Sequence, residues 1–133
     1  LPGSGIHVHY SILDDRNKNI FDNGTLEGSS SLMFAIGGLM ETMSELTLIM
    51  APHLNSYRRI VSETHAPNII SWGYENRTVA LRVPGGEYKS RRIEPRVAGS
   101  DVNPYLLIAS IILLPSTAIK IWSICSLIDF KFG

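Results

Sequence analysis

Alternation comes first along this chain. Residues 6–13, IHVHYSIL, switch between apolar and polar positions and predict a strand. That pattern puts His7, His9 and Ser11 on one face and Val8, Tyr10 and Ile12 on the other. The following DDRNKNIFDNG is turn-rich around the apolar pair Ile20-Phe21. Ser29-Ser30-Ser31 offers a cap for a helix from about Leu32 to Met43, and a second helical stretch runs from Ser44 to Met50 before Pro52. Gly37-Gly38 lies inside the first helix at a cost of ~1 kcal/mol per glycine, which close packing against another backbone would explain. Strands are predicted at 68–74 (NIISWGY), 78–83 (TVALRV) and 91–98 (RRIEPRVA), with Pro84-Gly85-Gly86 as a turn. Pro95 lacks a donor, so its strand should sit at an edge or carry a bulge. Asp101 to Pro104 signals a helix start, and an apolar helix follows from Tyr105. The expected fold class is α+β: a mixed or antiparallel sheet with helices 32–50 and 104–120 packed behind it.

The run 102–119 is uncharged over 18 residues, the lower limit for a membrane span. Asn103, Pro104, Pro115, Ser116 and Thr117 interrupt it and no basic cluster flanks it, so it reads as a buried core helix. From about 119 the character changes, and 119–133 reads as an aberrant or truncated tail on a unit spanning 1–118. The chain opens on Leu1 with no basic-then-apolar leader and reads as a piece from inside a longer protein.

At 133 residues and 44% apolar, the chain can build one core. Twelve basic residues balance twelve acidic ones, which argues against a nucleic-acid-coating protein. The lone Cys125 excludes a disulfide scaffold and fits a reducing, cytoplasmic setting. The charge is unevenly spread: residues 1–57 carry a net −4, residues 58–96 a net +4, and seven of eight arginines fall in the second stretch. Guanidinium forks match phosphate and carboxylate oxygens, so this stretch is either a site for a multiply anionic ligand or a solvated face with ordinary ion pairs.

Four segments could carry chemistry. In G-S-G-I-H-V-H-Y-S, His7 and His9 offer two imidazoles from one strand face, as metal ligands or as a surface pair. In R-R-I-E-P-R, Arg92, Glu94 and Arg96 share a face while Ile93 and Val97 turn to the core; Glu94 is either a metal ligand with phosphate-binding neighbours or part of an ion-pair ladder. In N-R-T-V-A-L-R-V-P, Arg82 points away from Val79, Leu81 and Val83, and Arg77, of the other parity, would act from the strand entrance. N-S-Y-R-R adds Arg58 and Arg59.

Taken together, P-G-S-G-I-H-V-H-Y-S, N-S-Y-R-R, A-P-N-I-I-S-W-G-Y-E-N-R-T-V-A-L-R-V-P, R-R-I-E-P-R and D-V-N-P-Y resemble the C-terminal catalytic part of the glutamine synthetase family, in the family's order over residues 2 to about 118. The resemblance implies an ATP-dependent ligase that phosphorylates the γ-carboxylate of L-glutamate and lets ammonia or a primary amine attack the γ-glutamyl phosphate. It implies Mg2+ or Mn2+ as the metal and a homo-oligomeric ring, with no nucleic-acid or membrane partner. Matched position by position, His7 and Glu94 are ligands of the metal bridging the ATP phosphates. His9 and Ser11 contact the nucleotide, as do the cations Arg82 and Lys89. Arg92 faces phosphate, and Arg77 touches both nucleotide and glutamate; these two are the implied catalytic pair. Gly3, Arg59 and Arg96 hold the substrate glutamate, together with Arg77. The family's upstream half, with its E-x-E carboxylate strand and β-grasp domain, would lie before residue 1, so the isolated chain should bind metal weakly and not turn over.

Two departures bear on subclass. Pro2 stands where the family often has asparagine. His65 stands where ammonia-using members carry a flap glutamate suited to ammonium; Glu63 lies two residues earlier. S-W-G-Y-E-N-R-T-V-A-L-R-V-P-G-G-E is closer to the γ-glutamylpolyamine and γ-glutamylputrescine synthetase-like branch, which favours an amine or polyamine as nucleophile. The alternatives are an ammonia-using enzyme and a non-catalytic relative or gene remnant.

Overall fold

The computed structural model describes residues 5–59, 69–118 and 128–132. The predicted alternation is realised in β1 (Val8–Ile12), where Val8, Tyr10 and Ile12 are buried and His9 and Ser11 are half-buried on the opposite face. Further along come α1 (Ser30–Met50), β2 (Trp72–Tyr74), β3 (Leu81–Val83), β4 (Glu94–Pro95), α2 (Pro104–Ala118) and β5 (Ile128–Phe132). Two short 3-10 turns, Leu54–Arg59 and Tyr88–Ser90, lie between them. The architecture is α+β, as the sequence implied.

The sheet is mixed. β2 runs parallel to β3, and β3 antiparallel to β4 with Arg82 opposite Glu94. β1 joins this sheet through Tyr10 and Ile93, whose backbones exchange hydrogen bonds of 3.1 and 3.0 Å. A second bridge pairs Gly5 with Gly99. Between the two bridges one strand advances five residues and the other six, so the segment holding Pro95 takes up one extra residue. This is the bulge that the missing proline donor called for; the segment is not an edge, because β1 and β3 flank it. The β5 backbone pairs antiparallel with β1, Val8 opposite Phe132 and Ile12 opposite Ile128. The stretch 119–127, within the tail set apart by the sequence reading, lies outside the described residues.

α1 is one helix, not two stretches. Ser29 caps it: its Oγ accepts from Leu32 N at 3.2 Å and donates to Ile20 O. The buried stripe Leu32, Ala35, Ile36, Leu39, Met43, Leu46, Met50 continues through Ser44, so tertiary burial carries the helix on to Met50. At α2, Pro104 takes the first helical position and Asn103 Oδ1 accepts from Tyr105 N and Leu106 N. Val102, Leu107 and Ile111 are buried in the same core as the α1 stripe, and α1 packs on α2. Among the described residues, the helix long and apolar enough to cross a membrane is α1, not the 102–119 run, and its apolar stripe lines this core.

Of the pair Gly37-Gly38, for which the sequence predicts close backbone packing, Gly38 is buried but Gly37 departs from the expectation. It is exposed, and a Cβ built on it meets nothing within 4 Å. Gly37→Ala should therefore stabilise the chain by ~1 kcal/mol, read as a higher urea midpoint at constant slope. An unchanged or lower midpoint would show a packing role that the geometry lacks.

Candidate active site

The register that joins β1, β3 and β4 brings four side chains onto one carboxylate. Glu94 is 1% exposed. Its Oε1 accepts from Arg96 NH1 at 2.8 Å, and its Oε2 from Arg82 NH1 at 3.0 Å. His7 Nδ1 lies 3.3 Å from Oε1 and His9 Nε2 3.8 Å from it. The Tyr10–Ile93 bridge explains the convergence, since it sets the imidazole face of β1 alongside the Glu94 face of the neighbouring strand. Arg82 reaches Glu94 because the two are direct cross-strand partners.

Arg92 enters through His9: its Nε donates to His9 Nδ1 at 3.3 Å, and its NH1 donates to Ser90 O at 3.1 Å. With Nδ1 accepting, neutral His9 carries its proton on Nε2, the nitrogen facing Glu94. Burial holds the His9 imidazole below the ordinary histidine range; Glu94 opposes this, and the guanidiniums of Arg92, Arg82 and Arg96 reinforce it. Glu94 thus sits among three guanidiniums, one of which, Arg82, is also shared with Glu75. The Nε atoms of Arg82 and Arg96 are buried without a hydrogen-bond partner, so the frame has donor capacity beyond what Glu94 accepts.

The donors also suit a hard divalent cation. A carboxylate oxygen and an imidazole nitrogen 3.3 Å apart are close to the roughly 3 Å expected between adjacent ligands of an octahedral ion with ~2.1 Å bonds. These two residues fit as part of a metal shell. Among the described residues no group of three or more His, Cys, Asp or Glu side chains is arranged to hold a metal by itself.

The remaining candidates are spread more widely. Ser11 lies on the imidazole face of β1, four residues beyond His7. Arg77 is exposed in the loop before β3, and Lys89 is exposed in the 3-10 turn 88–90. The backbone of Arg59 closes the turn Leu54–Arg59, while its side chain lies outside the described residues. Gly3, and also Pro2, Glu63 and His65, lie outside them too.

Three residues at or beside the site escaped the sequence reading. Glu75, at positive φ beyond β2, accepts from Gly85 N and lies 3.4 Å from Arg82 NH2. The Gly85 N–H holds its carboxyl below the usual range; partial desolvation opposes this, and Arg82 adds to it. Gly85 suits this approach, because a Cβ there would come within 3.0 Å of Glu75 Oε1. Asn19 and Arg91 are buried and tie the 88–91 segment to the loop after β1. A glutamate beside N-R-T and an asparagine in a turn-rich stretch carry no periodic signal, so only tertiary structure reveals them.

Known proteins are similar to this chain over most of its length. The family model described as glutamine synthetase, catalytic domain, matches residues 1–117. The chain is 42% identical over 109 residues to the gamma-glutamylputrescine synthetase of Escherichia coli, covering 82% of this chain and 23% of that protein. It is 40% identical over 113 residues to the gamma-glutamylethanolamide synthetase of Streptomyces coelicolor, covering 84% of this chain and 24% of the relative. It is 39% identical over 120 residues to the glutamine synthetase of Pyrococcus abyssi, covering 90% and 27%. The chain therefore spans about a quarter of the length of these relatives. A buried glutamate facing a histidine in a frame of arginines, on a chain matched almost throughout by that catalytic-domain model, places this protein in the glutamine synthetase family.

Proposed function

We propose that residues 1–118 form the C-terminal part of the catalytic domain of an ATP-dependent ligase that joins a primary amine to the γ-carboxylate of L-glutamate through γ-glutamyl phosphate. The observation that carries this reading is the meeting of His7 and Glu94 at 3.3 Å inside the Arg82, Arg92 and Arg96 frame. Joining an anionic carboxylate to an anionic triphosphate brings like charges together, and a cationic frame offsets that repulsion. Arg82, Arg92 and Lys89 serve the phosphates, His9 and Ser11 contact the nucleotide, and Arg77 reaches both substrates. Arg96, Arg59 and Gly3 hold glutamate. His7 and Glu94 hold Mg2+ or Mn2+, which when bound neutralises phosphate charge as a Lewis acid. Arg96 has a second task, since it anchors the Glu94 carboxylate against the pull of Arg82 on the other oxygen.

The amine assignment draws on the S-W-G-Y-E-N-R-T-V-A-L-R-V-P-G-G-E stretch and on two relatives whose names specify amides of the γ-glutamyl group, gamma-glutamylputrescine and gamma-glutamylethanolamide. Ammonia is the second reading, favoured by a relative of nearly equal identity named glutamine synthetase. The same proposal places the protein in the cytoplasm, in a homo-oligomeric ring, with no nucleic-acid or membrane partner, and takes 119–133, whose strand β5 pairs with β1, as a tail on the catalytic unit. The deciding experiment supplies the full-length protein carrying this chain with ATP, Mg2+, glutamate and either putrescine or ammonia, and follows phosphate release. Higher kcat/KM with putrescine is expected. Preference for ammonia selects the second reading, and no release with glutamate and any amine refutes the ligase. The isolated 133-residue chain is expected to give no turnover, since two protein ligands and one cationic frame are only part of such a site.

A further inference from the structure

The loop between β1 and α1 is built as a strap over the segment that carries Lys89 and Arg92. It is ordered by its own turn chemistry: Asp14 Oδ1 accepts from Arg16 N and Lys18 N, and Asn17 takes a positive φ of 61°. Ile20 N then donates to Ile12 O, Phe21 enters the core at 0% exposure, and Ser29 N donates to Phe21 O. From this fixed loop three bonds cross to the distant segment. Asn19 Nδ2 donates to Lys89 O at 3.1 Å and to Arg91 O at 2.7 Å, and Arg91 NH2 donates back to Thr25 O at 2.8 Å. Asn19 is 7% exposed, and its Oδ1 accepts from Phe21 N at 3.0 Å, so all three of these amide bonds are made to backbone. Arg91 also lies over the Tyr88 ring, 5.7 Å from its centroid.

We infer that Asn19 is a positioning residue for nucleotide binding: its buried amide fixes the backbone on both sides of Ser90 and thereby aims Lys89 and Arg92 at the phosphates. The inference rests on the ligase reading above for the role of those two cations. The geometry supplies the lever. Arg92 follows directly on the Arg91 carbonyl that Asn19 holds, and Arg92 orients His9 through Nδ1. An amide is required because one side chain must donate twice and accept once, which a carboxylate cannot do.

The test is Asn19→Asp in the full-length protein carrying this chain. The substitution keeps the size and the acceptor for Phe21 N, and turns two donors into acceptors facing carbonyls. Binding of the fluorescent nucleotide mant-ATP with Mn2+ should weaken about tenfold, while the affinity for glutamate stays within about twofold. Met43→Ala, in the α1 stripe remote from the strap, serves as a destabilised comparison and should leave nucleotide affinity unchanged. Equal mant-ATP affinity in wild type and Asn19→Asp overturns the inference. So does equal weakening in Met43→Ala, or loss of glutamate affinity in step with nucleotide affinity. Failure of the ligase reading shows separately, as nucleotide binding without phosphate release on any amine.

Discussion

Glu94→Gln should cost the chain about 3 kcal/mol of stability and weaken Mn2+ binding by at least about tenfold. The sign follows from what surrounds the side chain. Glu94 is the shared acceptor for Arg82 and Arg96, both within 3.0 Å, and it is 1% exposed. Glutamine keeps the shape but replaces one oxygen by a donor that must face a guanidinium donor. It also leaves the frame of Arg82, Arg92 and Arg96 without its central anion. Removing one member of a buried ion pair is costly because the other charge stays buried and unpaired. In full-length protein, phosphate release should fall by about 10³-fold, the scale seen when a group stabilising transition-state charge is lost. Urea denaturation and Mn2+ titration measure the first two effects. A midpoint within about 0.5 kcal/mol of wild type would mean that Glu94 is not the keystone of the arginine frame. Unchanged Mn2+ affinity would remove it from the metal shell.

Much of this site was legible in the chain because it rests on period-two geometry. Alternation over IHVHYSIL put both imidazoles on one face, and alternation over R-I-E-P-R put Glu94 with its flanking arginines. The structure bears out both placements. The bulge followed from Pro95, since a missing donor must fall where a hydrogen bond is not needed. What alternation cannot give is which strand lies beside which. The Tyr10–Ile93 bridge joins positions 83 residues apart, and local pattern does not encode that register. The motif resemblance implied only that His7 and Glu94 meet at one metal, and the register that brings them together comes from the structure. The same limit explains the misread helix. Ser44 looks like a boundary locally, yet Leu46 and Met50 continue the buried stripe and override it. Gly37 shows the opposite error, a packing reason assigned to an exposed position where a Cβ would meet nothing within 4 Å. Asn19 and Glu75 were missed for a third reason. Each acts through backbone groups brought near by tertiary folding, and a turn-rich stretch gives no sign of which asparagine will be buried.

Phe21→Ala should be the costliest truncation on the strap, about 3–5 kcal/mol. Its ring is fully buried and meets Tyr10 edge-to-face, with centroids 6.0 Å apart at 74°. Its backbone is held on both sides, the N–H by Asn19 Oδ1 and the carbonyl by Ser29 N, so the loop cannot easily collapse into the space left behind. A cavity that cannot relax keeps the full penalty. Phe34, on the exposed side of α1 at 56% exposure, is the matching control; Phe34→Ala should change stability by no more than about 0.5 kcal/mol. The two variants remove the same atoms, so any difference between their urea midpoints reports burial and not residue type. Gly28 sets a further bound on relaxation. It has φ +78°, and a Cβ there would come within 3.2 Å of Phe21 O, so the chain just before the α1 cap already packs against the Phe21 backbone. If Phe21→Ala proves no worse than Phe34→Ala, the loop is not anchored by its aromatic residue. The rigidity from which Asn19 derives its leverage would then have to come from the Asp14 turn and the Ser29 cap alone.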